Sequence, residues 1–201
     1  MIPVKPQLAP KGFRENVFKP GRGWLKKNGL PLSGAIPPGT ELKPYWRWCL
    51  SALHDRYGGV CAYLCIYIEK ALRAHSVDHF VPKSKKIEHA YRWSNYRLAC
   101  PSMNSRKQSF EDVLDPFELD DETFHINFLD GSIAPNPALP KVARETAQDT
   151  IDRLGLDEED CRKMRRETYD DYRQRSDPAD FLLYLAKKSP FVASEIRRQK
   201  L

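Results

Sequence analysis

The chain has 201 residues, 41% apolar and 30% charged, with a net charge of +6. That suits one ordinary core with appendages, and no apolar run approaches the length of a membrane-spanning helix. Five scattered cysteines, an odd number, argue against a disulfide framework. The opening Met-Ile-Pro-Val-Lys-Pro lacks the apolar stretch of a secretory signal, so a soluble, cytoplasmic protein is expected. Charge is unevenly divided. Residues 1–110 hold 19 Lys and Arg against 6 Asp and Glu, and residues 111–201 hold 14 against 21. A basic first half is what a polyphosphate partner requires.

In chain order, residues 1–41 contain seven prolines and several glycines, and an extended arm is expected there, carrying Lys11, Arg14, Lys19, Arg22, Lys26 and Lys27. Pro44 suits a first helical position, and Trp46, Cys49, Leu50 and Leu53 recur at helical spacing until Gly58-Gly59 stops the helix. That helix is expected to bury its aromatic face. Val60 to Ile68 is β-branched and aromatic, of strand length, and Ser76 to Val81 is a second strand. A Lys-rich loop starts at Pro82. Tyr96 to Cys100 makes a third short strand, and Pro101 to Gln108 a helix opened by proline.

Beyond these, Phe124 to Phe128 alternates like a half-buried strand before an Asp130-Gly131 hairpin turn, and residues 134–140 form a Pro-rich link. Helices are expected at Lys141 to Leu154 with Gly155 as cap, at Asp157 to Arg175 with Asp157 as N-cap, and at Pro178 to Lys187.

The chemistry concentrates between Ser76 and Lys107. Asp78 offers a carboxylate and Asn104 an amide oxygen, a hard pair suited to Mg²⁺, with Mn²⁺ as a substitute. His79 can act as a general base, since an imidazole of pKa about 6.5 is largely neutral at cellular pH. Neighbouring strand residues point to opposite faces, so the backbone is expected to bend at Asp78-His79. An amide at Asn95 can hydrogen-bond the His79 loop and fix the ring. Lys83, Arg97, Arg106 and Lys107 surround these positions as candidates for phosphate contact.

Val-Asp-His-Phe-Val-Pro-Lys, Trp-Ser-Asn-Tyr-Arg-Leu-Ala-Cys and Met-Asn-Ser-Arg-Lys together resemble the HNH endonuclease family over roughly residues 58–117. The text is most similar to small HNH proteins of bacterial anti-phage defence systems such as Zorya and Septu. The resemblance implies an α+β, ββα-metal fold, a cation on Asp78 and Asn104, His79 as base and Asn95 orienting it. It also implies DNA as substrate, a 5′-phosphate product, and other subunits of a defence system as partners. The organisation expected is an extended basic arm (1–41), an HNH nuclease core (42–133) and a helical C-terminal region packed on it (134–201).

Many family members hold a structural zinc on two Cys-x-x-Cys pairs. Here three residues separate Cys61 from Cys65 instead of two, and Met103 stands where a partner for Cys100 would be, so zinc is not expected and the cysteines should pack as small hydrophobes. The alternative activity class is a catalytically silent nucleic-acid-binding or docking module of the same fold.

Overall fold

The computed structural model describes all 201 residues and divides into two compact units. Unit 1 comprises residues 1–5, 60–68 and 112–201; unit 2 comprises 6–59 and 69–111. These units cross the boundaries expected at 41 and 133. Unit 2 carries 18 Lys and Arg against 7 Asp and Glu, a net of +11, while unit 1 carries 15 against 20. Both units mix helices with a two-stranded sheet, an α+β arrangement. No helix is long and apolar enough to cross a membrane.

In unit 2, β1 (Ser76–His79) pairs antiparallel with β2 (Tyr96–Ala99), Asp78 opposite Arg97 and His79 opposite Tyr96. Every residue of β2 is buried, which is why the run carries no polar alternation. Helix α3 (Pro101–Lys107) starts on proline, where the missing N–H is no loss, and packs on β1. It stops at Gln108, whose φ of +46° leaves helical space. The stretch leading to α2 (Leu50–Arg56) is a tighter 3₁₀ turn over Tyr45–Cys49, and Gly58 and Gly59, both at positive φ, end it.

The expected extended arm is corrected. Residues 1–5 belong to unit 1, where Val4 N–H donates to Pro116 O at 2.7 Å. Residues 14–27 of unit 2 are helical: a wide π-type turn over Arg14–Phe18 leads into α1 (Lys19–Lys27). Pro20 comes directly after the π-type turn, where Lys19 N–H reaches back five residues to Arg14 O and the regular ladder is already interrupted, and Phe13, Val17, Gly21 and Leu25 recur on the buried side. Phe13 meets Trp93 and Tyr96 edge-on at 5.7 and 5.9 Å. Proline and glycine content alone hid this apolar repeat.

Gly21 has an ordinary φ, but a Cβ there would lie 2.3 Å from Cγ of Tyr91. Tyr91 in turn donates to Lys43 O at 2.9 Å and lies 5.9 Å from Trp46. Gly21→Ala is therefore expected to cost about 1–3 kcal/mol through overpacking. A thermal melt checks this, and an unchanged midpoint would show that Tyr91 moves aside freely.

In unit 1, the expected strand at Val60–Ile68 is instead a tight loop with one bridge, Val60 to Tyr67. Cys65 turns the chain at φ +56°, and Cys61 N–H donates to Ile66 O. A continuous apolar run has no period, so sequence could not separate a strand from a buried loop. Cys61 and Cys65 are fully buried here; Cys100, in unit 2, is half-buried.

Strands β3 (Phe124–Asn127) and β4 (Ser132–Pro135) form a hairpin about Gly131, so the expected Pro-rich link supplies a strand up to Pro135. Four helices follow: α4 (Lys141–Leu154), α5 (Glu159–Arg173), α6 (Pro178–Lys188) and α7 (Pro190–Gln199). Gly155 closes α4 in left-handed space. Asp157 does not cap α5; its carboxylate accepts from Ile133 N–H at 2.9 Å, and Glu158 takes the cap position.

Candidate active site

Unit 2 contains a cavity of about 710 Å³ whose wall includes Trp46, Arg47, His75, Asp78, His79, Lys83 and Asn104. Asp78 and His79 end β1 and are both buried, 2% and 7% exposed, yet both line this one space. A regular strand would send them to opposite faces. The chain leaves the strand after His79, and the carbonyls of His79 and Phe80 both accept from Lys107 Nζ, at 3.3 and 2.8 Å. Consecutive carbonyls of a strand point to opposite edges, so one ammonium reaches both only because the backbone turns.

The His79 ring is fixed by its Nε2, 2.9 Å from Ala90 O. A carbonyl only accepts, so Nε2 carries the proton and Nδ1 keeps its lone pair. Tyr96 O–H donates to the same carbonyl at 2.9 Å, and the rings of Trp46 and Tyr96 stand edge-on to the imidazole at 4.8 and 5.1 Å. Burial, then the positive charge of Lys83 and more weakly Lys107, push the imidazole down to about 3, against the pull of the Ala90 bond. His79 is therefore neutral throughout the ordinary pH range.

On α3, Asn104 turns its Nδ2 to Ser76 Oγ at 3.0 Å and Val77 O at 3.4 Å. The orientation of the amide follows from its partners. Ser76 Oγ has already given its proton to Ala99 O, and Val77 O can only accept, so the group facing them must be the NH₂. The Asn104 Oδ1 is thus the atom left for a ligand.

Asn95 does not line the cavity; it is 3% exposed and bridges the loop after β1. Its Oδ1 accepts from Val81 N–H at 2.8 Å, and its Nδ2 donates to Val81 O at 2.9 Å and His89 O at 3.2 Å. These bonds tie down the two ends of a segment that leads to Ala90, whose carbonyl holds His79. Asn95 thus reaches the His79 loop through the backbone and does not bond the ring itself.

Residues 59–110 match the HNH endonuclease family model. The matched span runs from Gly59 through β1, β2 and α3, and well under half of the chain lies in it. Among curated proteins, none matches the chain. An HNH domain implies nuclease activity in general, and such nucleases generally use a divalent metal ion and act on DNA.

The residues of the HNH segment fit such an ion. No three His, Cys, Asp or Glu side chains are disposed together to hold a metal. The Asp78 carboxylate and the Asn104 amide oxygen instead supply two hard oxygens beside a roomy cavity, which suits a cation that keeps several waters.

The four cations expected at phosphate are placed differently from one another. Lys83 lines the cavity, its ammonium 5.6 Å from the Trp46 ring centroid, and Arg106 is half-buried on α3. Arg97 and Lys107 are turned inward, which corrects their assignment. Arg97 is 3% exposed and donates to Ser94 O and Tyr96 O at 2.9 and 3.2 Å, while Lys107 is 0% exposed. Both lie over the Phe80 ring, at 5.0 and 5.2 Å from its centroid.

Sequence reasoning missed Trp46 and Arg47 as cavity residues. Trp46 reads as core beside Leu50 and Leu53 on a single α-helical repeat. The 3₁₀ turn over Tyr45–Cys49 winds more tightly, so Trp46 swings away from fully buried Leu53 toward His79. No local signal marked the Ala90 carbonyl.

Proposed function

We propose that unit 2 is a metal-dependent HNH endonuclease or nickase of ββα-metal type that hydrolyses phosphodiester bonds of DNA. The observation that supports this best is the convergence of three differently held groups, Asp78, His79 and the Asn104 oxygen, on one cavity of a unit with a net charge of +11. Lys83 and Arg47 on the cavity wall, with Arg106 nearby on α3, serve as phosphate contacts. The role of an effector nuclease in anti-phage defence, alongside other subunits, rests on the likeness of the motif text alone.

In this reading Asp78 and Asn104 hold one divalent cation, Mg²⁺ or Mn²⁺. When bound, the cation stabilises the negative charge that develops on the phosphate and leaving oxygens. His79 Nδ1 takes the proton from the attacking water as the new P–O bond forms. The P–O3′ bond breaks, the departing 3′-oxygen takes a proton from solvent, and His79 later returns its own proton to solvent, leaving a 5′-phosphate and a 3′-hydroxyl. Ala90 O holds the resulting imidazolium through Nε2–H, as it held the neutral ring. A phosphate beside the ring opposes the effect of Lys83 and Lys107, raising the basicity of His79 when substrate is present.

Supercoiled plasmid incubated with the purified chain tests the reading. Nicked circles are expected with Mg²⁺ or Mn²⁺ and none with EDTA; cutting that continues in EDTA would remove the metal from the account.

A further inference from the structure

We propose that Lys107 is a positioning residue of this site. Its one buried ammonium holds the end of β1 bent so that Asp78 and His79 reach the same cavity, and its fixed charge loosens the grip of Asp78 on the cation. The proposal rests on the nuclease reading of that cavity and concerns how the site is assembled.

A lysine ammonium has three donors and no acceptor. At Lys107 two are accounted for by His79 O and Phe80 O, and the Asp78 Oδ2 lies 3.5 Å away. The side chain is 0% exposed, so protein atoms, these and the Phe80 ring among them, take the place of water around it. Asn104 and Lys107 lie three apart on α3 and so share a face of the helix. The first reaches Ser76 and Val77, the second Asp78 to Phe80, and the helix reads along β1 residue by residue. Asn95 then takes both peptide groups of Val81. The turn from strand to loop is held by Lys107 and Asn95 on consecutive residues.

Two consequences run in opposite directions. Without the ammonium, the His79 and Phe80 carbonyls lose the donor they share, so the corner relaxes and the imidazole loses its place on Ala90 O. Yet a fixed positive charge beside Asp78 opposes a second cation on the same carboxylate. Even in a water-like dielectric, a unit charge and a divalent ion several ångströms apart repel by an amount worth about tenfold in binding. Lys107 thus exchanges metal affinity for geometry.

Lys107→Met keeps length and volume and removes the donors and the charge. Three measurements on the full chain separate the roles: the nitrogen-15 shifts of the His79 ring, Mn²⁺ affinity by electron paramagnetic resonance without DNA, and kcat for nicking at saturating Mn²⁺. The expected result is a His79 ring that no longer shows a single Nε2–H tautomer, Mn²⁺ bound about tenfold more tightly, and kcat lower by about a hundredfold. A lysine that merely fills space would be replaced by methionine without change in kcat, and that outcome overturns the proposal. So does weaker Mn²⁺ binding. If Lys107→Met fails to fold, Lys107→Gln can still donate to one carbonyl; the same changes are expected, and kcat within twofold of the parent overturns it. A parent chain that binds Mn²⁺ but cuts nothing fails the nuclease reading, while the ring shifts still decide the role of Lys107.

Discussion

Asp78→Ala is expected to abolish metal-dependent cutting and to destabilise unit 2 by about 3–5 kcal/mol, the usual cost of leaving a buried charge without its partner. Both effects follow from burial. Asp78 is 2% exposed and Lys107 is 0% exposed, with 3.5 Å between Oδ2 and Nζ, so bulk water screens the pair only weakly. Removing the carboxylate takes away one of two oxygens for the cation and strands the ammonium. Asp78→Asn separates the two roles: it keeps a hydrogen-bond acceptor near Lys107 and recovers part of the stability, but not the activity. Urea unfolding and plasmid nicking on the same preparations check both. A variant as stable as the parent would show that Lys107 is satisfied by its carbonyl partners alone.

His79→Ala is expected to lower kcat by about 10²–10⁴-fold, the usual contribution of a positioned general base. Cooperative unfolding should survive, because the Ala90 carbonyl keeps Tyr96 O–H as a donor. Stability should also become less sensitive to acid. Burial lowers the folded imidazole to about 3, whereas an unfolded histidine titrates near about 6.5. Between those values the unfolded chain takes up the proton first. The stability that neutral His79 contributes to the metal-free protein is therefore complete above about pH 6.5 and is lost as pH falls toward about 3. His79→Ala removes that part of the slope, which denaturant titrations at a series of pH values can measure.

The sequence made the strand ends and helix starts around the site legible because each has a local cause. Pro101 opens α3, Gly58-Gly59 ends the preceding helix, and the chemistry-bearing residues fall at the end of β1, just before β2 and on α3. Alternation of side chains along a strand calls for a bend at Asp78-His79; β1 instead stays in register through His79, and the chain turns just after it. The agent of that turn was not legible. Lys107 reads as a surface cation beside Arg106, and only tertiary packing turns it inward over Phe80. Arg97 was misplaced for the same reason, since a charged side chain in a fully buried strand is satisfied by carbonyls that no local pattern reveals.

The N-terminal segment failed differently. Its prolines and glycines suggested extension, but Pro20 lies where a helix tolerates it and Gly21 is the residue that admits the Tyr91 ring. Helix α7 opens on Ser189-Pro190, and its core residues, Phe191, Val192, Ala193 and Ile196, became legible only by their burial.

The claim that this cavity cuts DNA, with His79 as the base, is tested most directly by one comparison: nicking of supercoiled plasmid by the parent chain and by His79→Ala, side by side in Mg²⁺ at matched DNA binding. Nicked circles with the parent and a rate at least a hundredfold lower with the variant are predicted. Equal rates would place the chemistry elsewhere, and DNA binding without cutting by either protein would leave an HNH-fold module that binds but does not cleave.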